Sequence, residues 1–316
     1  MKLEKTEENL QAIARLIEYA FNKSAGVEKS STFLSRYQHA ACFGEISDHQ
    51  VTSLLVANDF TLRFYQTNLK MAGIGYVASF PEYRGDGGIK RLMSEMLADL
   101  YDSGYVVSNL APFSERYYRQ FGYENTIFRQ VYTIPTESLQ GVVSEKRGKV
   151  LRGTWQDEAI RAAVLGLYTQ IINQATEKNS IVRQPWWWQR LDEYYPERFI
   201  AVSFDEANQP SGYLIYRMVG AEFLIDELRS TSVFGLRKLL TFIKSHIASF
   251  ERFIYHAPLD DSLVWLFSER SAIEVREIPY MMSRIVNFRK LISALPLKCD
   301  GSYILEVSKD LFCPWN

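Results

Sequence analysis

Val77-Ala78-Ser79-Phe80-Pro81-Glu82-Tyr83-Arg84-Gly85-Asp86-Gly87-Gly88-Ile89-Lys90-Arg91 is the stretch on which the fold turns. Residues 71–80 (MAGIGYVASF) lead into it and are apolar on both faces, as in a buried central strand, and Pro81 ends the run. Gly73 and Gly75 inside it predict a bulge or the close approach of another backbone. On the far side, Ile89, Leu92, Met93, Met96, Leu97 and Leu100 recur at helical offsets, and Gly104 closes that helix. Residues 105–110 (YVVSNL) return as a strand. Strand, glycine-rich turn, helix and strand make a βαβ unit, which implies parallel pairing across it. A turn of this kind points several N–H groups into one concavity at a helix N-terminus, where the dipole adds partial positive charge. Such a place suits a phosphate or pyrophosphate; the plainer reading is a strand–helix turn that happens to be rich in glycine. No GK[ST] follows, so it is not a P-loop, and Lys90 stands where GxGxxG needs its third glycine.

Working outward, Leu10, Ile13, Ala14, Ile17 and Phe21 predict an amphipathic helix opening after Thr6. Residues 51–57 and 62–66 are β-rich runs around Asn58-Asp59, which reads as a hairpin. Residues 127–134 alternate as a further strand, and the polar stretch 136–149 is the expected domain boundary. A second α/β pattern follows. It has a helix near 156–174, strands near 198–204, 212–217 and 222–228, and a long helix marked by Val233, Leu236, Leu240, Ile243, Ile247 and Phe250. A strand at 252–256 and short strands from 272, including 302–307, complete the chain. The second half thus repeats the strand–helix–strand theme without the glycine cluster, since Leu228-Arg229-Ser230-Thr231-Ser232 precedes its helix.

Composition narrows the function. The 316 residues carry 36 Lys and Arg against 37 Asp and Glu, a net charge of −1, which argues against nucleic acid as a partner. No run approaches 18 apolar residues, and no apolar run follows the first five residues, so neither a membrane span nor a signal peptide is expected. Three dispersed cysteines, Cys42, Cys299 and Cys313, fit a reduced cytoplasmic setting. The four histidines, His39, His49, His246 and His256, lack metal-site spacing, so no metal is expected.

Arg84-x-x-Gly87 after Val77-Ala78-Ser79 resembles the acetyl-CoA-binding motif of the GCN5-related N-acetyltransferases (GNAT). Residues 111–124 (APFSERYYRQFGYE) resemble the fourth motif of that superfamily, in the form YxxFGY. The order of these motifs, with Pro185-Trp186-Trp187-Trp188, GYLIYR, EFLIDEL and the closing Cys313-Pro314-Trp315-Asn316, is similar to the enhanced-intracellular-survival (Eis) branch over nearly the whole chain. The resemblance implies an α/β (α+β type) architecture of tandem GNAT mixed-sheet domains. Residues 1–140 would hold the acetyl-CoA site, 141–290 a second GNAT-like domain without a cofactor turn, and 291–316 the start of a sterol-carrier-like domain.

It further implies an acetyl-CoA-dependent N-acetyltransferase acting on a small primary amine of aminoglycoside, polyamine or lysine-like type, with hexamers as the family's assembly. Backbone groups of Val77, Ala78 and Ser79 would pair with the pantetheine arm. Arg84, Gly85, Asp86, Gly87, Gly88 and Ile89 would cradle the pyrophosphate, and Lys90 or Arg91 would meet the adenosine phosphate. Ser114 would lie near the thioester, and Tyr118 would be the general acid for the departing thiolate. Ile89 departs from the general superfamily pattern, which prefers Gly or Ala there, but agrees with the Eis-like one. The family's base is a terminal carboxylate delivered by the third domain. Asn316 is not equated with it, and Glu28, Glu45, Glu82 and Glu115 remain open alternatives. A non-catalytic acyl-CoA-binding or assembly module is the second reading of the same motifs.

Overall fold

The computed structural model describes all residues of 1–316 except His49, Ala175, Asp260, Asp261, Cys299, Asp300 and Tyr303. Expectations for His49 and Cys299 therefore lie outside the described residues. In chain order the elements are β1 (Lys2–Leu3), α1 (Glu7–Ala20), α2 (Ser31–Gln38), β2 (Ala40–Ser47), β3 (Gln50–Phe64), β4 (Thr67–Ser79), α3 (Gly88–Asp102), β5 (Val107–Leu110), α4 (Glu115–Arg119), β6 (Glu124–Pro135) and α5 (Thr136–Gln140). There follow β7 (Lys149–Gly153), α6 (Glu158–Ile172), β8 (Asn179–Val182), α7 (Pro185–Tyr194), β9 (Phe199–Phe204), β10 (Pro210–Val219), β11 (Glu222–Ser230), α8 (Val233–Lys244), β12 (Arg252–Pro258), β13 (Glu274–Ile285) and α9 (Phe288–Ala294).

Two compact units result, and they are not cut at 140 and 290. The first comprises Met1–Ile127, Lys178–Tyr194 and Met281–Asn316; the second comprises Phe128–Glu177 and Tyr195–Tyr280. In the first, β1, β2, β3 and β4 pair antiparallel in that order, β4 pairs parallel with β5, and Met282–Ile285 of β13 pairs antiparallel with β5. The β4–α3–β5 crossover is the predicted βαβ unit. Its helix buries Leu92, Met93, Met96, Leu97 and Leu100 against Phe43, Leu55, Ala72, Ile74 and Leu110. On the opposite face Ile13, Leu16 and Ile17 of α1 pack with Phe33 and Tyr37 of α2. Thr6 caps α1 by accepting from the Asn9 N–H, as the sequence suggests.

In the second unit the strand order is β6-β12-β11-β10-β9-β7. Here β11 and β12 are the parallel pair, joined by α8, so the strand–helix–strand theme recurs. Its core stacks Tyr216 on Phe223 with ring centroids 4.7 Å apart and buries Leu239, Leu240 and Ile243 of α8.

Several expectations change. Residues 51–57 and 62–64 lie in one strand, because Asn58 is satisfied in mid-strand: its amide oxygen accepts from Arg36 Nε and Nη2 (3.0 and 2.7 Å), and its Nδ2 donates to the Arg36 carbonyl (3.0 Å). The reversal comes later, at Tyr65 and Gln66, both with positive φ. The tryptophan segment joins the first unit through β8, which pairs with β3, and through Trp186 and Trp187 packed on Phe60. Residues 302–307 form no strand among those described, and Tyr303 lies outside them.

Residues 310–316 pack onto the first unit. Arg284 pairs with Asp310, Trp315 Nε1 donates to the Val286 carbonyl (2.7 Å), and Phe312 meets Phe121 edge-on at 5.2 Å. Cys42 and Cys313 are free and buried, and burial pushes their thiols up to about 12 and about 11. Among the described residues no helix is long and apolar enough to cross a membrane, and no group of three or more His, Cys, Asp or Glu could hold a metal ion.

Candidate active site

Parallel pairing of β4 with β5 runs from Met71↔Val107 to Ile74↔Leu110 and stops there. β4 continues to Ser79, still paired with β3 through Leu54↔Ala78 and Ser53↔Ser79. The register shifts between those pairs and Val56↔Gly75, so Tyr76 and Val77 lie opposite Leu55 alone. Tyr76 sits at φ +50°, an uncommon conformation for an aromatic residue. A bulge of this kind bends the strand and re-aims it. Among the described residues, no strand pairs with Gly75–Ser79 on the side away from β3, so an edge of backbone N–H and C=O groups is left unfilled beside the diverging β5.

At the end of that edge lies the glycine turn. Gly85 and Gly87 have φ of +95° and +76°, and Gly87 is the N-cap of α3 with no side-chain cap. The first N–H groups of the helix thus keep no intrahelical acceptor, and no cap takes their place. Gly88 opens α3 in a cramped position: a Cβ there would stand 2.7 Å from both Glu45 Oε2 and Ser53 Oγ. Only glycine lets the turn lie this close to β2 and β3. Arg91 braces the turn, pairing with both oxygens of Glu45 (2.6 and 2.9 Å) and donating to the Asp86 carbonyl (2.7 Å). Arg84 Nε donates to the Ser79 carbonyl at 3.3 Å, at the junction of turn and edge.

Tyr118 lies on α4, the short helix that follows β5. Ser114 caps α4 by accepting from the Tyr117 N–H at 3.3 Å, and Gly122 at φ +77° ends the following turn. This short helix drives Tyr118 into the cluster that holds Ile74 and Leu110, the last paired residues of the two diverging strands. Tyr118 is 3% exposed and ringed by Phe113, Tyr117 and Tyr123 at 5.3, 5.4 and 6.1 Å. Burial, helped by the neighbouring Tyr117 and Tyr123, pushes its phenol well above the ordinary tyrosine value. It therefore keeps its proton at any physiological pH. Tyr123, by contrast, is tied to Ser108 through a 2.6 Å hydroxyl pair and serves the core.

Two GNAT acetyltransferase domain models match the sequence, one over residues 4–126 and the other over 180–285. No curated protein sequence matches. Among solved structures, a probable N-acyltransferase from Enterococcus faecalis is 33% identical, with a TM-score of 0.87, over 100% of this chain and 80% of that one. The chain belongs to the GNAT acetyltransferases. A GCN5-related N-acetyltransferase from Anabaena variabilis (24% identity, TM-score 0.80, 93% of this chain and 74% of that one) has the same fold. So does Eis1 from Mycobacterium abscessus (16% identity, TM-score 0.74, 93% and 75%). GNAT domains use acetyl-CoA as cosubstrate, and this chain is an N-acetyltransferase with two such domains in tandem.

The sequence-singled residues fall into two groups. Val77, Ala78 and Ser79 form the unfilled edge, and Arg84 through Ile89 form the turn at its end. Ser114 and Tyr118 come from α4. Ser114 is engaged as a helix cap, and Ile89 packs against the α3-side core. Arg91 is committed to Glu45 and the turn, so its place is in holding the loop. Of the four candidate bases, Glu45 is held by Arg91 and Glu115 by Arg119 (3.1 Å). Sequence reasoning missed Arg36, whose guanidinium lies over the Tyr76 ring 4.7 Å from its centroid. The one signal for it was Gly75.

Proposed function

We propose that the first unit binds acetyl-CoA along Val77–Ser79, with its pyrophosphate in the 84–89 turn, and transfers the acetyl group directly to a primary amine. The observation that carries this reading is the splay of β4 from β5 with an uncapped, glycine-opened helix N-terminus at its end; a proton-bearing tyrosine in the core cluster that holds the last paired residues of both strands supports it. A pantetheine arm is an extended chain with amide groups, and an unpaired strand edge offers it the partners that a neighbouring strand would have supplied. The open N–H groups of α3 favour an anion at the mouth.

Attack of a neutral amine on the thioester carbonyl forms the C–N bond, and collapse of the tetrahedral adduct breaks the C–S bond. The thiolate takes a proton from Tyr118, and the amine nitrogen gives one up to solvent or a nearby base. A phenol held above its ordinary value is a weak acid toward a thiol of reference pKa about 8.5. Tyr118 therefore acts through position, delivering its proton as negative charge gathers on sulfur. Aminoglycosides, polyamines and lysine side chains are the amine classes to try first.

Thiol release from acetyl-CoA, measured with and without amine, tests the proposal with Tyr118→Phe beside the wild type. Amine-dependent release that falls by about 10²-fold or more in the variant is expected. Release that is unchanged in the variant overturns the acid role of Tyr118. Binding of acetyl-CoA without release for any amine overturns the catalytic reading.

A further inference from the structure

Tyr118 sits on a helix, α4, of only five residues, and a helix that short does not hold its shape without support. Ser114 caps its first turn. Its other end is closed by two N–H groups, of Phe121 at 3.0 Å and of Tyr123 at 3.3 Å, which both donate to the Tyr118 carbonyl. The turn 121–123 is therefore bonded directly to Tyr118, and each of its residues rests on a different support. Tyr123 is held to β5 through the Ser108 hydroxyl. Phe121 is 1% exposed and meets Phe312 edge-on. Gly122, at positive φ, lies against the guanidinium of Arg284, where a Cβ would stand 2.5 Å from Nη1 and 2.8 Å from Cζ.

Arg284 belongs to β13, opposite Ser108 of β5, and it ties these supports together. It pairs with Asp310, whose carboxylate also accepts from the Phe312 and Cys313 N–H groups at 3.2 and 2.9 Å and so shapes the turn that presents Phe312. The Arg284 and Asp310 side chains are 11% and 14% exposed, and Arg284 Nε is buried without a partner. A buried ion pair adds little stability over an apolar pair of the same volume, and the unpaired Nε adds a cost. Stability alone gives no reason for an arginine here, whereas geometry does: its rigid plane fits against a backbone that carries no side chain. The Tyr118 hydroxyl is held by no hydrogen bond among the described residues, only by the surrounding rings, so its place depends on the backbone of α4.

We propose that Arg284, braced by Asp310, is a positioning residue for acetyl transfer: it supports the turn at Gly122 and so sets where the Tyr118 hydroxyl stands relative to the departing sulfur. This rests on the acid role given to Tyr118 above and extends it to a residue packed behind the helix. A misplacement of about 1 Å at a reacting group costs about 10²-fold in rate, so loss of the support should appear in kcat and not in cofactor binding.

The test is a cycle of variants. Arg284→Gln combined with Asp310→Asn removes both charges together, so that neither is left buried alone. This pair should lower kcat about 10-fold while the Kd for CoA and the KM for the amine stay within about twofold. In a Tyr118→Phe background the same pair should cost less than about twofold, because no donor remains to be misplaced. A merely structural role lowers the rate equally in both backgrounds; that result, or an unchanged kcat, overturns the proposal. Arg284→Lys keeps a charge beside Asp310 but loses the plane against Gly122, so it should show the same Tyr118-dependent loss, and full kcat in this variant also overturns it.

If Tyr118→Phe alone leaves kcat unchanged, the acid reading falls, and amide exchange then decides whether Arg284 supports α4. Faster exchange of the Phe121 and Tyr123 N–H groups in the paired variant, with the Ser114-bonded Tyr117 N–H unchanged, upholds the support. Unchanged protection at Phe121 and Tyr123 overturns it.

Discussion

Gly88→Ala isolates the glycine turn with a single methyl group. The added Cβ would press on Glu45 Oε2 and Ser53 Oγ at 2.7 Å and on Ser53 Cβ at 3.3 Å. Neither neighbour is idle: Glu45 is held by Arg91, and the Ser53 hydroxyl pairs with the Ser79 hydroxyl at 2.7 Å. Relieving the contact must either part Glu45 from Arg91, which also holds the Asp86 carbonyl, or disturb Ser79 on the open edge. Overpacking of this kind costs about 1–3 kcal/mol. The intrinsic gain of alanine over glycine in a helix offsets at most about 1 kcal/mol of that, and less at its first residue. A net loss of about 1–2 kcal/mol should lower Tm by about 1.5–3 °C for a chain of this size.

The larger effect falls on the ligand. Displacing one or two N–H donors from a phosphate forfeits about 1.5–3 kcal/mol, so the Kd for CoA should rise roughly 10- to 100-fold. Titration calorimetry with CoA and a thermal scan read both numbers. Gly166→Ala on α6, where a Cβ meets nothing within 4 Å, is the control and should leave Kd unchanged. A Gly88→Ala chain that loses stability yet binds CoA with the wild-type Kd would refute the reasoning, because the turn would then serve packing alone.

Two further outcomes follow from the same structure. Asp310 is pushed up by burial, but Arg284 and the Cys313 and Phe312 N–H groups outweigh that and hold its carboxyl below the ordinary value. Its contribution is therefore present above the unfolded value of about 3.9 and lost as pH falls through the lower folded one. Asp310→Asn, which strands Arg284, should loosen residues 310–316 at neutral pH by about 3 kcal/mol, read as faster amide exchange in that segment; unchanged protection would sink the idea. CoA should bind with a stoichiometry of one per chain, and a value of two by calorimetry would show that the second unit also carries a working site.

What could be read from the sequence was what local patterning controls. The α3 periodicity, the Pro81 stop and the glycine turn fixed β4–α3–β5, because each signal acts within a few residues of its cause. The failures share a different origin. Asn58-Asp59 reads as a turn on any local scale, yet it lies within β3 because Arg36, 22 residues earlier in the chain, supplies the missing partners. Gly73 and Gly75 do mark a bulge in this strand, but it falls at Tyr76 and Val77, and the positive φ of Tyr76 itself has no local signal. The tryptophan segment and the last residues join the first unit through contacts such as Phe60–Trp187 and Phe121–Phe312, which no window of sequence spans. Tyr118 could be singled out among its neighbouring tyrosines only by family resemblance. Burial then separates it from Tyr123, whose hydroxyl is already engaged.

The two parallel crossovers differ in what they leave open at the helix N-terminus. In the first unit eight residues, 80–87, separate the end of β4 from the start of α3, long enough to arch away from the sheet. In the second only Thr231 and Ser232 separate β11 from α8, and pairing with β10 persists to Ser230↔Gly212. The helix consequently begins against the sheet. Gly235 is so close to Ser211 that a Cβ would stand 2.2 Å from its carbonyl oxygen, and that same oxygen accepts from the Thr231 N–H (3.0 Å). Ser232 then takes the Gly235 N–H at 3.1 Å, satisfying a group that α3 leaves open. Both helices have the same dipole, so the dipole cannot be what distinguishes them. The difference lies in whether the N-terminal N–H groups already have partners, and a connection two residues long leaves no room for a phosphate to become one.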